Sequence, residues 1–224
     1  MRNKLLCTIL ILLISTTYVF TQQEYLNEGF ESGLFPDNWS EEFVSGVQEW
    51  RFRNGGHNPS DDNWNVAPEQ EDIARNPDGA YEGTFNAIFF QQGYDNEKTK
   101  LITPALDLQG GTNVELSFFM CQIPWTFAGS TAWDILRVYY RTSETDQWQL
   151  VPGGALTDPI YSWEQKKLML PDVSETYFIA FEGHSRWGYG TCIDEVVIKE
   201  TGSTPLYIGS IDYFQPPTRM FLRF

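Results

Sequence analysis

Gly190-Thr191-Cys192-Ile193-Asp194-Glu195-Val196-Val197-Ile198-Lys199 is the stretch on which the fold turns. Val196, Val197 and Ile198 are β-branched, and such a run is stable only with a sheet on either side of it. It follows an aromatic, Gly-rich loop, Ser185-Arg186-Trp187-Gly188-Tyr189-Gly190. Asp194 and Glu195 sit near the start of the strand. A carboxylate pair is costly to bury there unless something binds it.

Working upstream, the same strand signal recurs. Tyr177, Ile179 and Phe181 alternate with Phe178, Ala180 and Glu182. Leu136, Val138 and Tyr140 alternate with Arg137, Tyr139 and Arg141, and Val114, Leu116, Phe118 and Met120 with Glu115, Ser117 and Phe119. Alternation of this kind marks strands with one buried face. Further strands are expected over Tyr25–Glu31, Glu49–Arg53, Thr84–Gln91, Lys98–Thr103, Gln147–Val151 and Gln165–Leu170, with Pro152-Gly153-Gly154 as a turn. The stretch from Trp64 to Gly83 reads as ordered loop. No segment has a helical period, and Pro and Gly punctuate almost every interval. The expectation is a single all-β domain, an antiparallel jelly-roll β-sandwich. In such a sandwich the first and last strands can be neighbours. Val114, Leu116, Phe118, Leu136, Val138, Ile179 and Phe181 are the expected core.

The N-terminus has a different character. Arg2 and Lys4 precede an apolar run from Leu5 to Ile14, and Val19 and Thr21 supply a small-residue cleavage signal. The run falls short of the roughly 20 residues a membrane span needs. Residues 1–21 therefore read as a secretory leader, with Gln22 first in the mature chain and residues 22–200 as the domain. No later stretch is apolar enough to span a membrane. Thr201 to Pro205 is linker-like, and residues 201–224 read as a tail or linker remnant. Formal net charge is −15; without Arg2 and Lys4 the remaining basic and acidic residues sum to −17. Such a charge excludes nucleic acid as a partner, since phosphate binding requires clustered Lys and Arg.

Cys121 and Cys192 remain in the mature chain. In an exported protein they could form one disulfide, but they lie on different strands whose adjacency the sequence does not give. His57 and His184 fall in loops, and no zinc spacing, nucleophile motif or distinctive carboxylate pair is present. The residues point to no catalysis.

The order of motifs resembles the choice-of-anchor J and cleaved-adhesin domains of Bacteroidetes surface proteins, and more distantly MAM domains. Phe30-Glu31-Ser32-Gly33 with Pro36 and Trp39 opens the pattern. Leu101-Ile102-Thr103-Pro104-Ala105-Leu106-Asp107-Leu108 continues it. Trp133-Asp134-Ile135-Leu136 and Gly188-Tyr189-Gly190 before Ile193-Asp194-Glu195-Val196 complete it. The resemblance covers Tyr25 to Lys199. It implies a MAM-like, galactose-binding-like jelly roll, a secreted or cell-surface location, a structural calcium ion, and adhesion to an extracellular protein or glycan without catalysis. The alternative is an accessory module of a larger secreted enzyme such as a peptidase.

Two constellations follow. Glu31 and Asp194 would meet at one edge if first and last strands pair. Calcium takes six to eight oxygens; Asn86 and Asp134 are further candidates for its shell, and Glu195 is an alternative to Asp194. Solvated strand-end acids are the plain alternative. Trp125, Phe127, Trp187 and Tyr189 are loop aromatics suited to stacking on a sugar or anchoring a protein; core packing is the plain alternative for each. Trp39, Trp148 and Trp163 read as packing residues.

Overall fold

The computed structural model describes residues 22–57, 76–90 and 96–202. Residues 1–21, read as a leader, and the chain beyond Gly202 lie outside the described residues, as does most of the stretch read as ordered loop from Trp64.

Two antiparallel sheets face each other. The first runs β11 (Ile160–Met169), β6 (Val114–Gln122), β13 (Thr191–Glu200), β4 (Asn86–Phe89), β3 (Arg51–Arg53), with β1 (Glu24–Glu28) also against β13. The second runs β10 (Gln149–Leu156), β9 (Ile135–Arg141), β12 (Phe178–His184), β5 (Lys98–Ile102), β2 (Ser40–Ser45). A small hairpin, β7 (Trp125–Phe127) with β8 (Ser130–Ala132), sits apart from both. The described residues contain no helix, and hence none long and apolar enough to cross a membrane. The protein is an all-β, antiparallel jelly-roll sandwich.

The alternating residues form the core. Val114, Leu116, Phe118, Leu136, Val138, Ile179 and Phe181 are all buried in one cluster between the sheets. Phe118 meets Phe181 edge to face across the sandwich, with ring centroids 5.2 Å apart. Each such side chain contributes about 1.5–3 kcal/mol by leaving water. Trp39 joins this cluster. Trp163 and Trp148 do not. They pack on the outer faces, Trp163 beside Ile88, Phe90, Cys121 and Cys192 on the first sheet, and Trp148 beside Ile102, Phe178 and Ala180 on the second. On that second face the Arg141 guanidinium lies between Trp148 and Phe178, 4.5 and 4.6 Å from their ring centres. Lys100 is nearly buried between Glu42 and Glu182, at 2.9 and 3.3 Å.

Strand 13 is the hinge of the first sheet. One of its edges pairs with β6 along its length. The other is shared by two strands laid end to end. β4 occupies Thr191 to Ile193, and β1 occupies Val196 to Lys199. First and last strands are thus neighbours, as the jelly-roll reading expects. Between the two partners sit Asp194 and Glu195, paired with neither. Glu195 has a φ of +49° and the register against β6 shifts between Asp194 and Val197, so the strand is bulged there. The bulge moves Val196 and Ile198 onto the same core side as Ile193, where strict alternation would have put Glu195.

Three expectations change. His184 does not lie in a loop but closes β12, opposite Lys98 and Ile135. His57 is buried, bridged to Asn76 and stacked on Phe90 at 3.8 Å. Pro152 and the following glycines interrupt β10 without ending it. β10 is an edge strand, where a proline's missing N–H breaks no ladder, and its register shifts between Leu150 and Ala155 to accommodate them. Cys121 and Cys192 are free thiols at directly opposed positions of β6 and β13.

Candidate functional site: an acidic gap and an aromatic loop end

The gap on β13 gathers the acids. The turn leaving β1 and the turn entering β4 meet there because both strands end against the same edge. Asp194, fully buried, accepts from the N–H of Tyr81 (2.9 Å) and Glu82 (3.2 Å) on Oδ2 and from its neighbour Glu195 (2.8 Å) on Oδ1. Glu31 accepts from Thr84 (2.9 Å) and Phe85 (3.3 Å). The two carboxylates therefore hold one short segment, residues 81–85, from both ends. Gly83 makes this close approach available: a Cβ there would lie 2.3 Å from Glu31 Oε1, and its φ of +64° disfavours side chains. The segment is also fixed to the sheet by Tyr81, stacked on Phe119 at 3.4 Å.

Burial raises the Asp194 carboxyl to about 7, against the pull of its three N–H donors and with a further push from Glu195. Glu195 is itself raised, by burial first and then by Glu82 and Glu31. Glu195 thus lies within electrostatic reach of Asp194, Glu82 and Glu31. Among the described residues no group of three Asp, Glu, His or Cys is placed to hold a metal ion.

Asn86 and Asp134 are engaged elsewhere. Asn86 Oδ1 accepts from Gly55 N (2.7 Å), while its Nδ2 donates to Gly55 O (3.3 Å) and Ala87 O (3.1 Å). Asp134 is 1% exposed and serves the loop before β13. Its Oδ1 accepts from Arg186 N (2.5 Å) and Gly188 N (3.2 Å), and its Oδ2 from Gly190 N (2.7 Å). Burial raises its carboxyl, and these three bonds pull it back. They hold Trp187 at a φ of +74°, a backbone state a tryptophan rarely adopts unaided.

This loop presents the second constellation. Trp187 meets Trp125 edge to face, with centroids 5.1 Å apart, and both rings are half-buried. Trp125 and Phe127 lie on strand β7, not in a loop; the Phe127 side chain falls outside what is described. Tyr189 is tied through its backbone, donating to Ile123 O and accepting from His57 N. Trp125 and Trp187 thus meet ring to ring, and the backbone of Tyr189 is tied to Ile123, two residues before Trp125.

His184 closes the central strand of the second sheet, between Lys98 and Ile135. Burial, then Lys98, Arg137 and Arg186, press its pKa from 6.5 down to about 4. The folded protein holds the ring neutral where an unfolded chain would take a proton. The resulting stability is complete above pH 6.5 and is lost as pH falls toward 4. We expect thermal melts at pH 7 and pH 4.5 to differ less for His184→Gln than for the wild type; equal differences would remove His184 from the acid response.

No protein-family profile matches the sequence, and no curated protein matches it significantly. Solved structures do. The K1 cleaved adhesin domain of Lys-gingipain from Porphyromonas gingivalis W83 superposes with a TM-score of 0.51 at 23% identity, over 79% of this chain and 98% of that one. The K3 domain of the same protein gives 0.50 at 20%, over 81% and 100%. The K2 domain of Lys-gingipain gives 0.51 at 16%, over 79% and 98%. The fold is the one these adhesin domains have. At such identities the likeness speaks to the fold alone.

Proposed function

We propose that the chain is a secreted, non-catalytic binding domain of the choice-of-anchor J kind, which holds an extracellular protein or glycan at its aromatic end. The observation that carries this is the Trp125–Trp187 pair, in which Trp187 sits on a loop whose backbone is clamped by the buried Asp134. A half-exposed ring held rigidly loses little entropy on stacking against a ligand, and ligand anchors are commonly of this type. The apolar run at residues 5–14 supports export, and the acidic balance of the chain favours neutral or cationic ligands over anionic ones.

The test is a glycan and matrix-protein array probed with the protein, followed by titration of each hit. Trp187→Ala and Trp125→Ala are each expected to weaken binding about tenfold or more, as hot-spot truncations do. Met169→Ala, half-exposed on β11, should leave it unchanged. Equal affinities for all four proteins would move the ligand elsewhere; no hit from either class would sink the binding role.

Calcium belongs to the same reading. Glu31 and Asp194 offer hard oxygens at the β13 gap, with Glu195 as the alternative to Asp194. Glu195 accepts no hydrogen bond among the described residues. Main-chain carbonyls and water would complete the six to eight oxygens the ion takes. This reading leaves out Asn86 and Asp134, whose side chains are bonded to Gly55 and to the 186–190 backbone.

A module of a larger secreted enzyme is a second reading. It is favoured by one fact, that the three adhesin domains named above are each a domain of Lys-gingipain. The mass of the protein recovered from culture medium separates the two.

A further inference from the structure

We propose that Cys121 and Cys192 are a cross-strand disulfide site, closed during folding and sealed by the fold afterwards. The proposal is independent of the ligand-binding reading. It starts from register: the two residues face each other directly on antiparallel strands β6 and β13. Opposed residues in such a pair have Cα atoms about 4.5–5.5 Å apart, which lies within the span a disulfide bridges. No backbone movement is needed.

The thiols point apart. Cys121 Sγ donates toward Ile160 O at 3.5 Å, on the β11 side, and Cys192 Sγ toward Gly55 O at 3.9 Å, on the β3 side. Rotation about each Cα–Cβ bond turns them toward one another. Gly55 O keeps its bond from Asn86 Nδ2 when the thiol leaves. The surroundings are apolar: Ile88 and Phe90 form a cluster with the two cysteines, covered by Ile123 and Trp163. Two bonded sulfurs suit that cluster better than two thiol groups seeking partners.

The same burial governs when the bond can form. The reactive species is the thiolate. Inside the fold, burial and then Glu164 push the Cys121 thiol up to about 12, and burial and then Cys121 push the Cys192 thiol well above its ordinary value. Both side chains are 0% exposed. Neither ionises at neutral pH, and no reagent reaches them. In the unfolded or folding chain both barriers are absent.

The step needs an external oxidant, a low-molecular-weight disulfide. One cysteine thiolate attacks it, forming a mixed disulfide and expelling one small thiolate. The second cysteine thiolate attacks the protein sulfur of that mixed disulfide. The Cys121–Cys192 bond forms, and a second small thiolate leaves. Two protein thiols are oxidised, one small disulfide is reduced to two thiols, and the two cysteine protons end on the leaving groups.

The test uses the full chain carrying Cys7→Ser, so that only this pair remains. It is unfolded, reduced, and refolded either with oxidised and reduced glutathione or with reductant alone. Alkylation in denaturant and peptide mass then read the bond. Refolding with glutathione should give a linked Cys121–Cys192 peptide, no alkylated cysteine, and a melting temperature about 10 °C above the reduced form. Protein folded in the reduced state and then exposed to oxidised glutathione should still show two alkylated cysteines. Cys121→Ser should melt alike after either refolding. Two free thiols, glutathione adducts or intermolecular dimers after oxidative refolding would overturn the bond. Oxidation of the folded protein as fast as the unfolded would overturn the sealing.

Discussion

Asp134→Ala is expected to destabilise the fold by about 3–5 kcal/mol and to abolish ligand binding at the aromatic end. The carboxylate is buried and spends its oxygens on the N–H groups of Arg186, Gly188 and Gly190. Removing it orphans three donors, each worth about 1–3 kcal/mol when unsatisfied; water entering the vacated space offsets part of that. Trp187 then loses what holds it at positive φ and swings away from Trp125. Asp134→Asn separates charge from shape. It fits the same space but sets an amide N–H against one backbone N–H, and about 1–2 kcal/mol is expected. Urea unfolding gives the stabilities, and titration of an array hit gives the affinities. A Asp134→Ala protein that unfolds and binds like the wild type would show that the loop is held by something else.

The core was legible because period-two alternation is a local signal. Phe118 and Phe181 could be placed inside from their neighbours alone, before anything was known of the sheets that bring them together. What escaped was whatever breaks the period. β2, Ser-Glu-Glu-Phe-Val-Ser, is an exposed edge strand with no buried face to impose a pattern, so nothing in it alternates. β7 and β8 are three residues each, too short to carry one. Pro152 reads as a stop in sequence, yet on an edge strand it costs only a shift of register. The bulge at Asp194 and Glu195 is invisible for a related reason: Ile193, Glu195 and Val197 are the residues that strict alternation would align.

The acids were half legible. The pairing of first and last strands placed Glu31 near Asp194, because a jelly roll sets its termini side by side. The residues they hold could not be read, since their partners are backbone N–H groups of 81–85, which have no sequence signature. Asp134 shows the same limit. Its partners lie more than fifty positions away and are again main chain. A usable signal did exist, an aspartate between Trp133 and Ile135-Leu136, in a run apolar enough to be buried, with a Gly-rich loop elsewhere in need of an acceptor. A charge in such a setting needs donors, and a loop like 185–190 has them to offer.

Calcium removal should lower the melting temperature of the wild type, with the ion worth about 2.7 kcal/mol at a hundredfold excess over its dissociation constant. The argument rests on the crowding at the β13 gap. Asp194 is raised to about 7 and Glu195 is raised with it, so without a cation these carboxylates work against the fold at neutral pH. A raised folded value gives stability that is complete below the ordinary value of 3.8 and lost as pH climbs through about 7. The cation-free protein should therefore gain stability from Asp194 as pH falls across that window. A bound divalent ion reverses the sign. It favours the carboxylate form, so its contribution is present at pH 7.5 and fades on acidification as protons compete for the same oxygens. Melting with calcium and with chelator should differ clearly at pH 7.5 and little at pH 4.5. Glu31→Gln and Asp194→Asn should each shrink the difference at pH 7.5, while Asn86→Asp should not enlarge it, because that side chain faces Gly55 and not the gap. If calcium and chelator give one melting curve at pH 7.5, the ion has no place here, and Glu31 and Asp194 are clamps on the 81–85 backbone and nothing more.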